Sequence, residues 1–432
     1  MGAGRINVIK KKTAITLMLI LLSISAFGQA CRQIADQQLC DEIGQMLIVG
    51  FGGGKQDDNG KILWNDKDSA RFTKSSIIAK HIANNHIGGV ILYHIPIRDV
   101  KTGTFIRDRN IQNPAQVTKL NQDLQNYNNQ IRKSRGLEPL PLFISVDQEG
   151  GRIDRLPTAQ GFSVVTLLPQ AFGLKEELAG KKETALKEAY TYAKNLAQEL
   201  SATHFNLNFA PVVDVNINPT NPIIGGLGRS FSSNPKIVVD QAEQFIRAFG
   251  ERGIIPTLKH FPGHGSSSSD THVGLVDVTR TYQKEKELHP YKKLIEGGYD
   301  GMVMTTHVIN GQIDQTQCKA GSKDDPTTWC PGTMSEKALA GLLRGEMGFK
   351  GIIVSDDMTM GAIANEYPLS ESLKKAINAG VDIFIVANIH ADQTEEVINT
   401  IAQLVKNGDV KREKIDEIYA RILNFKKKHL LR

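Results

Sequence analysis

Cysteine and tryptophan are scarce in these 432 residues, four and two respectively. No two cysteines stand in a CxxC spacing, which removes the common zinc and dithiol redox motifs. No GxGxxG opens a helix, which weighs against a dinucleotide-binding fold. No internal repeat, low-complexity tract or Pro-rich linker marks a solenoid or a domain boundary. The composition, 40% hydrophobic and 23% charged, is that of an ordinary globular chain, and excludes a disordered, fibrous or polytopic membrane protein.

What is there begins with the first thirty residues. Arg5 and Lys10–Lys12 precede an apolar stretch from Ala14 to Ile24, and small residues follow at Ala26, Gly28 and Ala30. That order describes a secretory signal peptide over 1–30, too short in its apolar part to span a bilayer comfortably. Gly28 stands where lipoprotein signals carry Leu, so simple cleavage is expected, with no stable membrane insertion. The segment holds four basic residues and no acidic one, so the formal charge of +6 falls to +2 without it (6 − 4 = 2). The basic balance is therefore largely targeting sequence and is no argument for a nucleic-acid partner. In an exported chain four cysteines form disulfides. Of the three connectivities, pairing between neighbours, Cys31–Cys40 and Cys318–Cys330, is the simplest.

From Gln45 onward short Val/Ile-rich runs alternate with segments of helical period. The strands are expected at Gln45–Phe51, Gly88–Tyr93, Leu140–Val146, Phe205–Val213, Ile254–His260, Gly301–Thr306, Gly351–Ser355 and Asp382–Ala387. Most are nearly unbroken apolar runs, as parallel strands covered on both faces require. Helices are expected at Pro114–Lys133, Lys182–Ser201, Pro235–Arg252, Ser335–Glu346 and Ser370–Ala379, with Gly253, Gly348 and Gly380 as C-terminal stops. Eight strand–helix alternations predict an α/β fold, a TIM-type (β/α)8 barrel in a single domain over 31–432. Chemistry in such barrels sits just beyond the strand C-termini. Asp147, Asp214, Lys259, His260, His307, Asp356 and Asp357 all fall there.

Three segments carry more than position: VDQEGGRIDR (146–155), KHFPGHGSSSSDTH (259–272) and IIVSDDMTMGAI (352–363). With FAPVVDV and GRSF they resemble family 3 glycoside hydrolases, specifically the single-barrel β-N-acetylglucosaminidases of peptidoglycan turnover. The resemblance covers nearly the whole chain beyond Cys40. It implies a retaining hydrolase without cofactor or metal, acting on terminal β-linked N-acetylglucosamine of an amino-sugar oligosaccharide. Many resembling enzymes are cytosolic, so the expectation of export rests on the leader, and a monomer is expected. Asp356 is implied as the nucleophile, because a retaining mechanism needs an ionised carboxylate beneath the anomeric carbon. Asp357 is its loop-positioning neighbour. His272, oriented by Asp270, is the implied acid/base, an imidazole able to donate and accept a proton near neutrality. The small, polar loop 263–269 is expected to move as a lid. Asp147, Arg155, Arg229, Lys259 and His260 are the implied sugar-binding residues, with Asp214 and His307 as weaker candidates. The Ser266–Ser269 run departs from the family's loop. So does the Gln312–Pro331 segment, which holds both later cysteines and follows the sixth strand, hence the catalytic face.

Other readings meet specific obstacles. Asp356 and Asp357 as helix caps would explain their position but not the accompanying motifs. His260, His264, Asp270, His272 and His307 as a metal cluster match no familiar zinc spacing. A β-glucosidase has no need of the Asp-Thr-His loop, whereas a phosphorolytic enzyme retains it. A non-catalytic envelope sugar binder would be favoured if the nucleophile or acid/base were missing, and both residues are present.

Overall fold

The computed structural model describes residues 36–51, 54–56, 62–64, 70–94, 97–98, 105–106, 110–318, 328–388 and 393–431. Residues 1–30, expected to be a signal peptide, and Cys31 lie outside them. Eight strands close into a barrel: β1 (Leu47–Gly50), β2 (Gly89–Ile91), β3 (Phe143–Val146), β4 (Leu207–Asn208), β5 (Ile255–Phe261), β6 (Met302–Thr305), β7 (Ile352–Asp357) and β8 (Ile383–Val386). Each pairs in parallel with its chain neighbours, and β1 closes the ring on β8 through Leu47–Phe384, Ile48–Ile385 and Val49–Val386. All eight lie inside the expected apolar runs or overlap them. Among the described residues no helix is long and apolar enough to cross a membrane.

The helices start where the sequence provides acceptors for otherwise orphaned amides. Asn113 caps Pro114–Ser134 by accepting from Gln116 N, and Asn234 caps Pro235–Gly250 by accepting from Lys236 N, each with Pro at the first helical position. Gly380 stops Leu369–Ala379 at φ +113°, a conformation that costs other residues dearly.

Two elements differ from expectation. The run 205–213 pairs as a strand only at Leu207–Asn208. Pro211 has no N–H to offer a ladder, and the backbone beyond it pairs with β5 in a single Val212–Lys259 bridge among the described residues. The Asn208 side chain instead reaches across to β3, accepting from Gln148 N and donating to Gln148 O, both at 2.9 Å. The helix expected at Ser335–Glu346 runs from Lys337 to Glu346 with the wider π winding.

At the base of the barrel, where the strands begin, buried charge is fully enclosed. Lys426 of the C-terminal helix (Arg412–Leu430) donates to Gln45 Oε1 at 2.8 Å and Gly88 O at 2.7 Å, and lies over the Phe143 ring. Asp382 accepts from Arg344, Arg421 and the Ile353 amide.

Candidate active site

At the opposite end, β3, β4, β5 and β7 deliver the polar residues to a cavity of about 360 Å³. Its lining includes Asp147, Arg155, Arg229, Lys259, His260, His272 and Asp356, seven of the eight residues singled out above. The eighth, Asp270, stands behind His272 and accepts from His272 Nδ1 at 2.7 Å.

The β3 loop turns sharply at Gly150 (φ +101°) and Gly151 (φ +59°). A Cβ on Gly150 would stand 2.6 Å from Tyr192 Oη and 2.8 Å from Leu167 O, so only glycine fits. The turn sends Glu149 inward. Arg229 grips it with two bonds of 2.7 Å, Nε to Oε2 and Nη2 to Oε1, while Lys259 Nζ lies 2.7 Å from Glu149 Oε1 and 2.7 Å from Asp147 Oδ1. Glu149 was not among the residues expected from sequence; the adjacent glycines were its only signal. Burial raises its carboxyl, but Arg229 and Lys259 outweigh that and hold it well below the usual range. Burial likewise opposes the Lys259 charge, and Asp147 and Glu149 overcome it. Two cations and two carboxylates thus make a neutral, preorganised clamp. Arg155 differs: its Nε and Nη1 are buried and have no partner among the described residues, so these donors remain for a ligand.

His260 lies on the same strand as Lys259. Its Nδ1 meets Asp214 Oδ2 at 2.6 Å, and Asp214 also accepts from His264 N at 2.8 Å. Asp214 is buried outside the cavity lining and sets the orientation of His260. His307 is likewise a supporting residue. Its Nε2–H donates to Asp357 O at 3.0 Å, leaving Nδ1 to face Thr333 Oγ1 at 2.8 Å. Burial lowers its pKa from the ordinary value.

The two aspartates ending β7 have different surroundings. Asp357 accepts from Thr359 N, Thr359 Oγ1 and Ala387 N, the work of a turn-capping residue. Burial raises its carboxyl. Asp356 accepts only the Asp357 amide, at 2.8 Å, among the described residues. Burial would raise it too, but the imidazoles of His307, His260 and His272 hold it below the usual carboxylate range. The capping explanation therefore fits Asp357 and leaves Asp356 as an ionised carboxylate in the cavity.

The segment expected as a lid is divided. Gly263–Ser267 is packed down: Ser266 and Ser267 are buried, Ser267 bonds to Asn221 and His264, and a Cβ on Gly265 would fall 1.7 Å from Val215 O. Beyond it, the His272 side chain is 65% exposed. Its carbonyl accepts from Gly361 N, and Thr271 O from Ala362 N, which ties this half to the segment after β7. The hydrogen bond to Asp270, with the charge on Asp356, raises the His272 pKa, and the same bond lowers that of Asp270.

Cys318 and Cys330, both after β6 in the chain, are bonded. Cys40 is buried; its expected partner lies outside the described residues. Among the described residues no three His, Cys, Asp or Glu side chains are placed to hold a metal.

A closed parallel barrel with ionised carboxylates, paired cations and an exposed imidazole at its strand C-termini is the architecture of a glycoside hydrolase barrel. The sequence matches the N-terminal domain of glycosyl hydrolase family 3 over residues 38–425, and the chain belongs to that family. It is similar to beta-hexosaminidase A of Pseudoalteromonas piscicida, 32% identical over 400 residues, 89% of this chain and 60% of that protein. A beta-hexosaminidase of Nitrosomonas eutropha is 31% identical over 336 residues, 77% of this chain and 83% of its own. Among solved structures, a glycoside hydrolase family 3 beta-N-acetylglucosaminidase from Paenibacillus sp. FPU-7 superposes with a TM-score of 0.70 at 30% identity, covering 90% of this chain and 62% of that one. The chain thus spans about three-fifths of two of these relatives.

Proposed function

We propose that this chain is a retaining β-N-acetylhexosaminidase that releases terminal β-linked N-acetylglucosamine from amino-sugar oligosaccharides such as peptidoglycan fragments. The observation that carries the reading is the pairing, in one cavity, of an ionised Asp356 with a His272 kept protonatable by Asp270. Asp356 attacks the anomeric carbon and forms a glycosyl-enzyme, while His272 protonates the departing oxygen. The same imidazole then takes a proton from water, which releases the sugar with net retention. Asp147, Arg155, Arg229, Lys259 and His260 hold the sugar hydroxyls, and Glu149 fixes Arg229 and Lys259. The relatives named beta-hexosaminidase support the substrate class. The Cys318–Cys330 bond supports work outside the cytoplasm, and we take the enzyme to act there as a monomer.

The proton from His272 matters most when the leaving group is a basic sugar alkoxide and least when it is a nitrophenolate. His272→Ala should cripple cleavage of an N-acetylglucosamine disaccharide while leaving much of the first step on 4-nitrophenyl N-acetyl-β-glucosaminide, with a burst of nitrophenol as the intermediate accumulates. Equal slowing of both substrates with no burst would remove His272 from the role. Early product of inverted configuration, seen by NMR, would remove the mechanism.

A further inference from the structure

Beneath the packed half of the His272 loop lies a carboxyl that the mechanism above does not use. Glu287 closes a short helix (Lys284–Glu287), 1% exposed. Its Oε1 accepts from Gln283 N at 3.2 Å, which accounts for one oxygen as a helix-end contact. The other, Oε2, is buried without a partner among the described residues and points at the loop: a Cβ built on Gly263 would be 2.8 Å from it. The Ser266 hydroxyl, also buried and unpartnered, faces the same carboxyl. Nearby, Tyr282 donates its hydroxyl to Pro262 O at 2.8 Å, and Phe261 packs edge-on against Tyr291 at 5.0 Å. Segment 282–291 is thus the floor on which Phe261–Ser267 rests.

The groups acting most on Glu287 are Ser266, the Gln283 amide and a second carboxylate, Asp214; none is a cation. Burial, with the Asp214 carboxylate adding to it, pushes its carboxyl up to about 7. A carboxylic acid with its proton is a donor as well as an acceptor, the species that a hydroxyl and a loop backbone accommodate without a counter-charge.

We propose that Glu287, as an uncharged carboxylic acid bonded to Ser266, is a positioning residue that holds the loop carrying His272 at the height from which the imidazole reaches the leaving group. The proposal deepens the functional reading above and rests on His272 being the acid/base. Its own observable is the loop. Amide hydrogen exchange over 263–274 should rise at least tenfold in Glu287→Ala and stay within about threefold of the parent in Glu287→Gln, whose amide keeps a neutral donor–acceptor pair. Glu287→Ala should also lose about tenfold or more of kcat on the disaccharide and only a few-fold on the nitrophenyl glycoside, with KM little changed, and Glu287→Gln should restore both.

His272→Ala is assayed alongside on the two substrates. Unchanged loop exchange in Glu287→Ala overturns the proposal whatever His272 does. So does a loosened loop with equal loss on both substrates while His272→Ala discriminates between them, because Glu287 is then only structural. Failure of Glu287→Gln to rescue overturns the uncharged form. If His272→Ala itself shows no discrimination, the acid/base assignment falls first and this proposal falls with it. Should Glu287→Ala not fold, Ser266→Ala, which removes the facing hydroxyl, must give the same loosening and the same split between substrates, and its failure to do so overturns the proposal.

Discussion

At the base of the barrel Asp382 is enclosed by two guanidiniums and an amide, and Lys426 by two acceptors and an aromatic face. At the mouth, among the described residues, Asp356 takes one backbone hydrogen bond, Arg155 leaves two nitrogens unpartnered, and His272 stands exposed with Asp270 bonded to its Nδ1. The base buries Asp382 and Lys426 completely, while at the mouth Asp356 and Arg155 are partly exposed and His272 is exposed. The base pairs each group until little is left to bind, whereas the mouth stops short and leaves its bonding capacity directed into a cavity. Buried polar groups are nearly always satisfied, so unpartnered donors on a residue that lines a cavity, as on Arg155, mark a candidate ligand site.

The sharpest way to break this contrast is to mutate one carboxylate from each end. Asp356→Asn should lower turnover on the order of 10⁴-fold with no loss of thermal stability, measured by steady-state kinetics and a melting curve. Near-parental turnover would mean another carboxylate is the nucleophile. Asp382→Asn should do the reverse. It leaves Arg344 and Arg421 short of their counter-charge, and because both are partly exposed we expect a loss of roughly 2–3 kcal/mol in unfolding free energy. The kcat/KM of the remaining folded enzyme should be unchanged. A fall in kcat/KM without destabilisation would show that the base is not merely structural.

A smaller change sharpens the account of the mouth. Asp270 raises the His272 pKa, and the first step needs the imidazole protonated, so kcat/KM on a disaccharide declines as pH rises through that value. Asp270→Asn removes the raising influence and should move this alkaline limb to lower pH. The acid limb, set by Asp356, should move much less. An unmoved alkaline limb would show that Asp270 orients the loop without tuning the proton.

The alternation of eight apolar runs with helical segments was enough to give the barrel, because strands covered on both faces write their burial into an unbroken hydrophobic pattern. The same rule put Asp147, Lys259, His260 and Asp356 at strand ends, and all four line the cavity. Helix starts at Pro114 and Pro235 were legible because the preference of proline for a first helical turn is local chemistry. What depended on contacts distant in sequence was not legible. Glu149 acquires its meaning from Arg229 and Lys259, 80 and 110 residues away (229 − 149 and 259 − 149). The packed state of Ser266 and Ser267, which composition suggested was a mobile loop, comes from Asn221, Val215 and the floor formed by 282–291. Strand position alone did not separate Asp356 from Asp357, which only the family resemblance told apart; the fold supplies the physical difference, giving one of them Thr359 and Ala387 and turning the other toward three imidazoles. Periodicity records which side chains are buried, but the partner that satisfies a buried charge is chosen by the tertiary structure, since nothing in the local chain brings the two together.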